Sequence, residues 1–286
     1  MVIGLLMGSG SAVSAWAIEQ NEDDSSVGAD EGGPASPDDE TQVTTAERLD
    51  AAEEDAGETF PGVVEGDIAL VSDYIDRGLT NSDHKPAVQG GLTYSIDTGV
   101  GDAAFYAGIW GSNVDFDDGD EANIELDWSF GLEGTIPTTE IGWDIGATYY
   151  HYPGADHRLN YDYWEIPLAL NYTVLPGVTL SGTYYYSPDY SGDTGQAHYV
   201  NGSLSWDVVR EPVTVTLAVA TGHQWIAENV QAGIPDYQDW SVGVTVGFDV
   251  LTVGVQYTDT DIPKNKCYQG TNMCEPRVTV KLGASF

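Results

Sequence analysis

Basic side chains are scarce. Lysine and arginine number 9 against 46 aspartates and glutamates in 286 residues, a formal charge of −37. Such a surface repels phosphate backbones, so nucleic-acid binding is excluded. Long apolar runs are missing too: no stretch of 18 apolar residues exists, and no transmembrane helix is available. A glycine-rich phosphate loop, an HExxH pair and a CxxC pair are all absent, which leaves no motif for a nucleotide, zinc or redox cofactor. Cysteine is limited to Cys267 and Cys274, seven residues apart in a polar stretch. For an exported chain the expected state of this pair is a loop disulfide; two free thiols or half of a metal site are the alternatives.

What the chain does contain is glycine (34), tyrosine (17) and tryptophan (8), a mixture suited to twisted strands with aromatic rims. Residues 1–17 carry a short apolar core at Val2–Met7 and the small-residue site Ala15-Trp16-Ala17. They are expected to be a signal peptide, although no basic residue precedes the core. Residues 18–65 hold 16 acidic side chains and one base, Arg48. With Gly28, Gly32, Gly33, Pro34 and Pro37 breaking any pattern, this segment reads as a self-repelling, disordered periplasmic linker.

From residue 66 to 286 the pattern has period two. Val278, Val280, Leu282, Ala284 and Phe286 alternate with Arg277, Thr279, Lys281, Gly283 and Ser285. Trp240 to Phe248 and Ile124 to Leu132 alternate in the same way. Twelve strands follow, near 67–78, 86–97, 102–112, 122–134, 140–152, 162–174, 178–187, 197–207, 212–222, 237–248, 251–259 and 277–286. Their connections alternate between short and generally longer, as when turns occupy one rim and loops the other. The expected fold is an all-β, up-and-down antiparallel transmembrane β-barrel in the bacterial outer membrane, in contact with lipid and lipopolysaccharide. Tyr149, Tyr150, Tyr152, Tyr161, Tyr163, Trp164, Tyr184, Tyr185, Tyr186 and Tyr190 crowd strand ends beside long loops, where an interfacial girdle is expected.

Specific residues add a resemblance. Val71-Ser72-Asp73-Tyr74-Ile75-Asp76-Arg77-Gly78, Lys85 to Gly91, Phe105 to Val114, Ile124 to Asp127, Tyr149 to Gly154 and Tyr163-Trp164-Glu165 resemble the TorF family of predicted porins, the Gcw_chp group. The sequence departs from that pattern at Asp76, where an aromatic or apolar residue is usual, and in its acidic linker and cysteine loop. The resemblance implies an outer-membrane barrel of unsettled substrate, with no catalytic residues to carry over.

If the apolar face meets lipid, the alternate residues line a lumen: Asp73, Arg77, Glu125, Asp127, Glu133, Asp144, Glu165, Asp207, Arg277 and Lys281. An excess of lining carboxylates favours cation passage. Closure of the first strand on the last brings Arg77, Arg277 and Lys281 near Asp73, so ion pairing inside the barrel is the competing role. Barrels of about 8 strands are filled by side chains and those of roughly 16–18 hold a channel, so twelve predicts a narrow lumen. The leading expectation is passive diffusion of small hydrophilic solutes or cations. The runner-up is a non-conducting barrel acting through acidic loops in adhesion or envelope integrity.

Two weaker signals complete the reading. His198-Tyr199-Val200-Asn201 resembles the His-x-Ser-Asn string of outer-membrane lipases, but Val200 has no hydroxyl to activate. Ser203 lies five residues on and faces the other way, roughly 17 Å distant at a strand's rise, so no enzyme is expected. Asp115, Asp117, Asp118 and Asp120 resemble part of a calcium loop without its closing bidentate glutamate. They are weak candidates for a divalent ion, and a solvated acidic surface is the usual state of such a run.

Overall fold

The structure, a computed structural model, describes residues 61–116, 122–209 and 211–286. The expected signal peptide, the linker up to residue 60, and Asp117, Asp118 and Asp120 lie outside the described residues. The strands are β1 Val63–Val71, β2 Ile75–Asp76, β3 Leu79–Thr80, β4 Ala87–Asp97, β5 Ala104–Asn113, β6 Ile124–Thr135 and β7 Ile141–His151. They continue with β8 Tyr163–Leu175, β9 Val178–Ser187, β10 Ala197–Val209, β11 Val213–Ile226, β12 Tyr237–Phe248, β13 Leu251–Thr260 and β14 Arg277–Ser285.

Twelve of these, β1 and β4 to β14, form one closed antiparallel barrel. Closure joins β1 to β14 from Asp67 opposite Ser285 to Val71 opposite Lys281. Two backbone bonds between Gly66 and Phe286, 2.8 and 2.9 Å, complete the seam at the last residue. A closed sheet has no unpaired edge, which is what a strand must achieve where no water can satisfy its amides.

The alternation decides which side meets what. Val242 is 51% exposed and Leu168 46%, and both point outward, as do Val244, Val253, Val255, Val280 and Leu282. These aliphatic side chains meet no second sheet; they form a continuous apolar belt around the outside. The polar partners turn inward. Burial of an unpaired charge at mid-bilayer costs roughly 2–4 kcal/mol on the lipid side, which explains the segregation.

Two expectations need correction. The first strand does not run over 67–78: β1 ends at Val71, and residues 72–86 leave the wall and fold back into the barrel. Asp73 and Arg77 therefore belong to an inserted segment and are not wall residues. The tyrosine girdle is also only half external. Tyr149, Trp164, Tyr184 and Tyr186 face out, whereas Tyr150, Tyr152 and Tyr163 are buried inside. Neighbouring residues of a strand face opposite ways, so Tyr149 and Tyr150 cannot share one surface.

Loops at the long end close over this filling. Cys267 and Cys274 form a disulfide of 1.99 Å, buried with Leu79, Ile226, Ile234, Tyr237, Ile262 and Met273. A second cluster gathers Val71, Tyr74, Ala87, Val114, Tyr150, Tyr152 and Tyr163, and Phe116 and Tyr190 pack against both. The long-loop end thus has a small hydrophobic core of its own.

Candidate functional site

The inserted segment is a β-hairpin of minimal length. Ile75 pairs with Thr80 and Asp76 with Leu79, leaving Arg77-Gly78 as the two-residue turn. Their φ values of 46° and 84° are both positive, as a type I′ turn requires. Glycine adopts such angles freely, whereas arginine does so at a cost of order 1–2 kcal/mol. The contacts of Arg77 offset that cost.

Four consecutive wall strands supply its hydrogen bonds and ring contacts, and Asp76 of the hairpin adds an ion pair at 3.9 Å. Arg77 Nη1 and Nη2 donate to the two carboxylate oxygens of Glu165 on β8, at 2.9 and 2.5 Å. Nη1 also donates to Oε1 of Gln224 on β11 at 2.9 Å. The guanidinium carbon lies 4.9 Å from the ring centre of Tyr185 on β9 and 4.5 Å from that of Tyr199 on β10. This is a forked carboxylate bond combined with cation–π contacts, the chemistry that singles out guanidinium from ammonium. Arg77 is 4% exposed, and Glu165 and Gln224 1% each.

Sequence register builds this cage. Tyr185, Tyr199 and Gln224 stand directly opposite one another across β9, β10 and β11. Tyr199 leans over Gly222, where an added Cβ would sit 2.1 Å from its hydroxyl oxygen; glycine is required for the ring to lie there. The same hydroxyl donates to Asp239 on β12, at 3.0 Å. Tyr150 donates to Glu165 Oε2 at 3.1 Å and fixes the carboxylate from the other side.

A second set of contacts anchors the hairpin's base. Asp73 accepts bonds from Thr80 (2.5 Å), Ser82 (3.0 Å) and Arg277 Nη1 (2.9 Å). Arg277 in turn donates to the carbonyls of Asn272, Met273 and Glu275 in the last loop. Tyr74 donates to Glu125 at 3.3 Å and packs edge-on to Trp110. Of the cations expected near Asp73, Arg277 reaches it and Arg77 goes to Glu165 instead. Lys281 faces inward nearer the short-turn end, on the strand beside Asp67.

The remaining lining candidates separate by depth. Glu125, Asp127 and Glu165 are buried around the hairpin. Glu133 and Asp144 stand opposite each other on β6 and β7, below the hairpin. Asp144 accepts from Tyr106 at 3.4 Å, and its other oxygen has no partner among the described residues. Asp207 accepts from Thr216 at 2.7 Å. Glu133 and Asp144 are buried, whereas Ser129, Ser181, Ser203, Thr245 and Gly254 on the inner wall are small and half-exposed, so the short-turn half of the lumen is lined by small and acidic residues. The long-loop half is packed.

Sequence reasoning did not single out Tyr185, Tyr199, Gln224 and Asp239 as lumen residues. Parity along β9, β10 and β12 could have placed three of them; Gln224 fell beyond the expected end of its strand at 222. Asp115 is engaged by Lys85, whose ammonium pKa is raised by hydrogen bonds to Asp115 and Asp83. Among the described residues no group of three metal-ligating side chains converges. His198 lies on the outer face against Tyr184, 2.7 Å from its hydroxyl, while Ser203 points into the lumen.

Comparison with known proteins gives three findings. A family model described as "Bacterial protein of unknown function (Gcw_chp)" matches residues 55–286. No curated protein matches the sequence. Among solved structures, the NanC porin is similar at 11% identity and TM-score 0.47, over 78% of this chain and 99% of its own. LpxR from Salmonella typhimurium is similar at 10% identity and TM-score 0.44, over 78% and 99%. An outer-membrane channel from Pseudomonas putida F1 is similar at 10% identity and TM-score 0.45, over 81% and 98%.

Proposed function

The chain belongs to the Gcw_chp family of bacterial proteins of unknown function, and from the geometry of its barrel we propose an outer-membrane diffusion channel that its own hairpin holds shut. The channel passes small hydrophilic solutes and favours cations. One observation carries this reading: carboxylates and small hydroxyl side chains share the inner wall, while the outer wall is aliphatic. Glu133 and Asp144, opposite each other on β6 and β7, form the selectivity element together with Asp207 and Asp67. Like charges directly opposite on paired strands disfavour each other, and a passing cation relieves that repulsion. The start of β1, the end of β14 and the short turns lie on the periplasmic side, and the hairpin is inserted from the other rim.

The packed long-loop half supports a second reading, a barrel that never opens and acts through its acidic loops. Planar-bilayer recording separates the two. Arg277→Gln removes the hairpin's outer anchor and leaves the vestibule intact. Its currents in a KCl gradient are expected to reverse on the potassium side of zero. E133Q/D144N in that background is expected to shrink the reversal potential by roughly half. Reversal on the chloride side overturns cation preference, and silence at every voltage in R277Q favours the closed barrel.

A further inference from the structure

We infer that the wall cage around Arg77 is a binding site for guanidinium-bearing solutes, with Arg77 as its resident occupant. Asp76 of the hairpin stands 3.9 Å from Arg77, but the fork, the amide oxygen and both rings come from the barrel wall: Glu165, Tyr185, Tyr199 and Gln224 lie on four adjacent strands, and Tyr150 holds Glu165 and Asp239 holds Tyr199 without help from the hairpin. Its occupant comes from a separate two-residue turn that reaches it only because residues 72–86 fold inward. Site and ligand are therefore separable. A forked carboxylate, an amide oxygen and two aromatic faces converge on one planar cation. An ammonium ion matches neither the fork nor the stacking, so the site discriminates between cations of equal charge.

Tethering gives Arg77 a high effective concentration, so a free solute enters only when the hairpin loosens. In the channel described above, this makes the hairpin a pseudo-ligand gate and alkylguanidinium compounds the solute class. That last step rests on the channel reading; the cage itself does not.

The test uses the full chain in detergent micelles, with methylguanidinium as probe and methylammonium as control. Arg77→Ala empties the cage. Its thermal midpoint, or its refolding yield if it folds poorly, is expected to rise saturably with methylguanidinium and not with methylammonium. R77A/E165Q is expected to need roughly tenfold more probe or beyond, since one charged fork is lost. No saturable response, or an equal response to methylammonium, overturns the inference. Should R77A fold under neither condition, R277Q takes its place. There methylguanidinium competes with Arg77, and chymotrypsin cleavage after Tyr74 is expected to increase; unchanged cleavage overturns the site. In bilayers, methylguanidinium is expected to raise the open fraction of R277Q. Binding in micelles with silent bilayers keeps the cage and removes the channel; conduction without binding does the reverse.

Discussion

Glu165→Ala is expected to expel the hairpin while leaving the barrel standing. The substitution removes both oxygens of the fork to Arg77 and leaves its guanidinium with Gln224, two tyrosine faces and Asp76 at 3.9 Å, inside a buried site. Breaking a buried ion pair from one side costs about 3–5 kcal/mol, because the remaining charge is stranded. A cost of that size ordinarily threatens a fold. Here the charge that loses its fork sits on β2–β3, a two-stranded sheet separate from the twelve-strand hydrogen-bond ladder. Withdrawal of the hairpin rehydrates Arg77 at the expense of the hairpin's own contacts to Arg277, Glu125 and the last loop while the barrel ladder stays paired, so the loss takes the form of sub-global opening. The expected result is rapid chymotrypsin cleavage after Tyr74 with unchanged heat-modifiable gel mobility. The E165A/R77A double variant should cost well below the sum of the two single effects. Global unfolding of E165A with the hairpin still protected contradicts this account.

The second large effect concerns direction. Val244→Arg and Thr245→Arg place the same charge on adjacent residues of β12, and the two side chains face opposite ways. Val244 lies between Leu217 and Val255 in the apolar belt. Arginine there is expected to destabilise the barrel in lipid by about 2–4 kcal/mol. Thr245 lies between Thr216 and Gly254 in the acidic vestibule, where space, water and carboxylates receive a cation, and the expected change is under about 1 kcal/mol. Urea unfolding in phospholipid vesicles gives both numbers. Equal costs at the two positions would remove the lipid belt from the account.

The same contrast sets what is legible in the sequence alone. The parity of Val278, Val280 and Leu282 against Arg277, Thr279 and Lys281 is local, and so are turns such as Leu175-Pro176-Gly177. These fixed the strand count and the alternation of short and long connections. Asp73 was misplaced because Val71-Ser72-Asp73-Tyr74 continues the alternation of β1 without a break. The signal that the strand has ended, a turn at Arg77-Gly78, is local too, but it does not say whether the hairpin folds inward or outward. The partner that decides this, Glu165, is 88 residues away, and no periodicity connects the two. Consecutive tyrosines show the same limit from the other side. Their composition suggested a girdle, whereas parity alone sends Tyr150 and Tyr185 inward to meet Glu165 and Arg77.

The most direct test replaces residues 75–80 with a Gly-Gly-Ser linker. Tyr74 O and Asn81 N are 2.7 Å apart, so a short bridge rejoins the ends while removing β2, β3 and Arg77 together. Single-channel recording of this barrel beside the intact chain, in one bilayer composition and over one voltage range, is expected to give steady openings from the shortened form and almost none from the intact one. Equal currents from both proteins would contradict a lumen shut by its own hairpin, and so would silence from both.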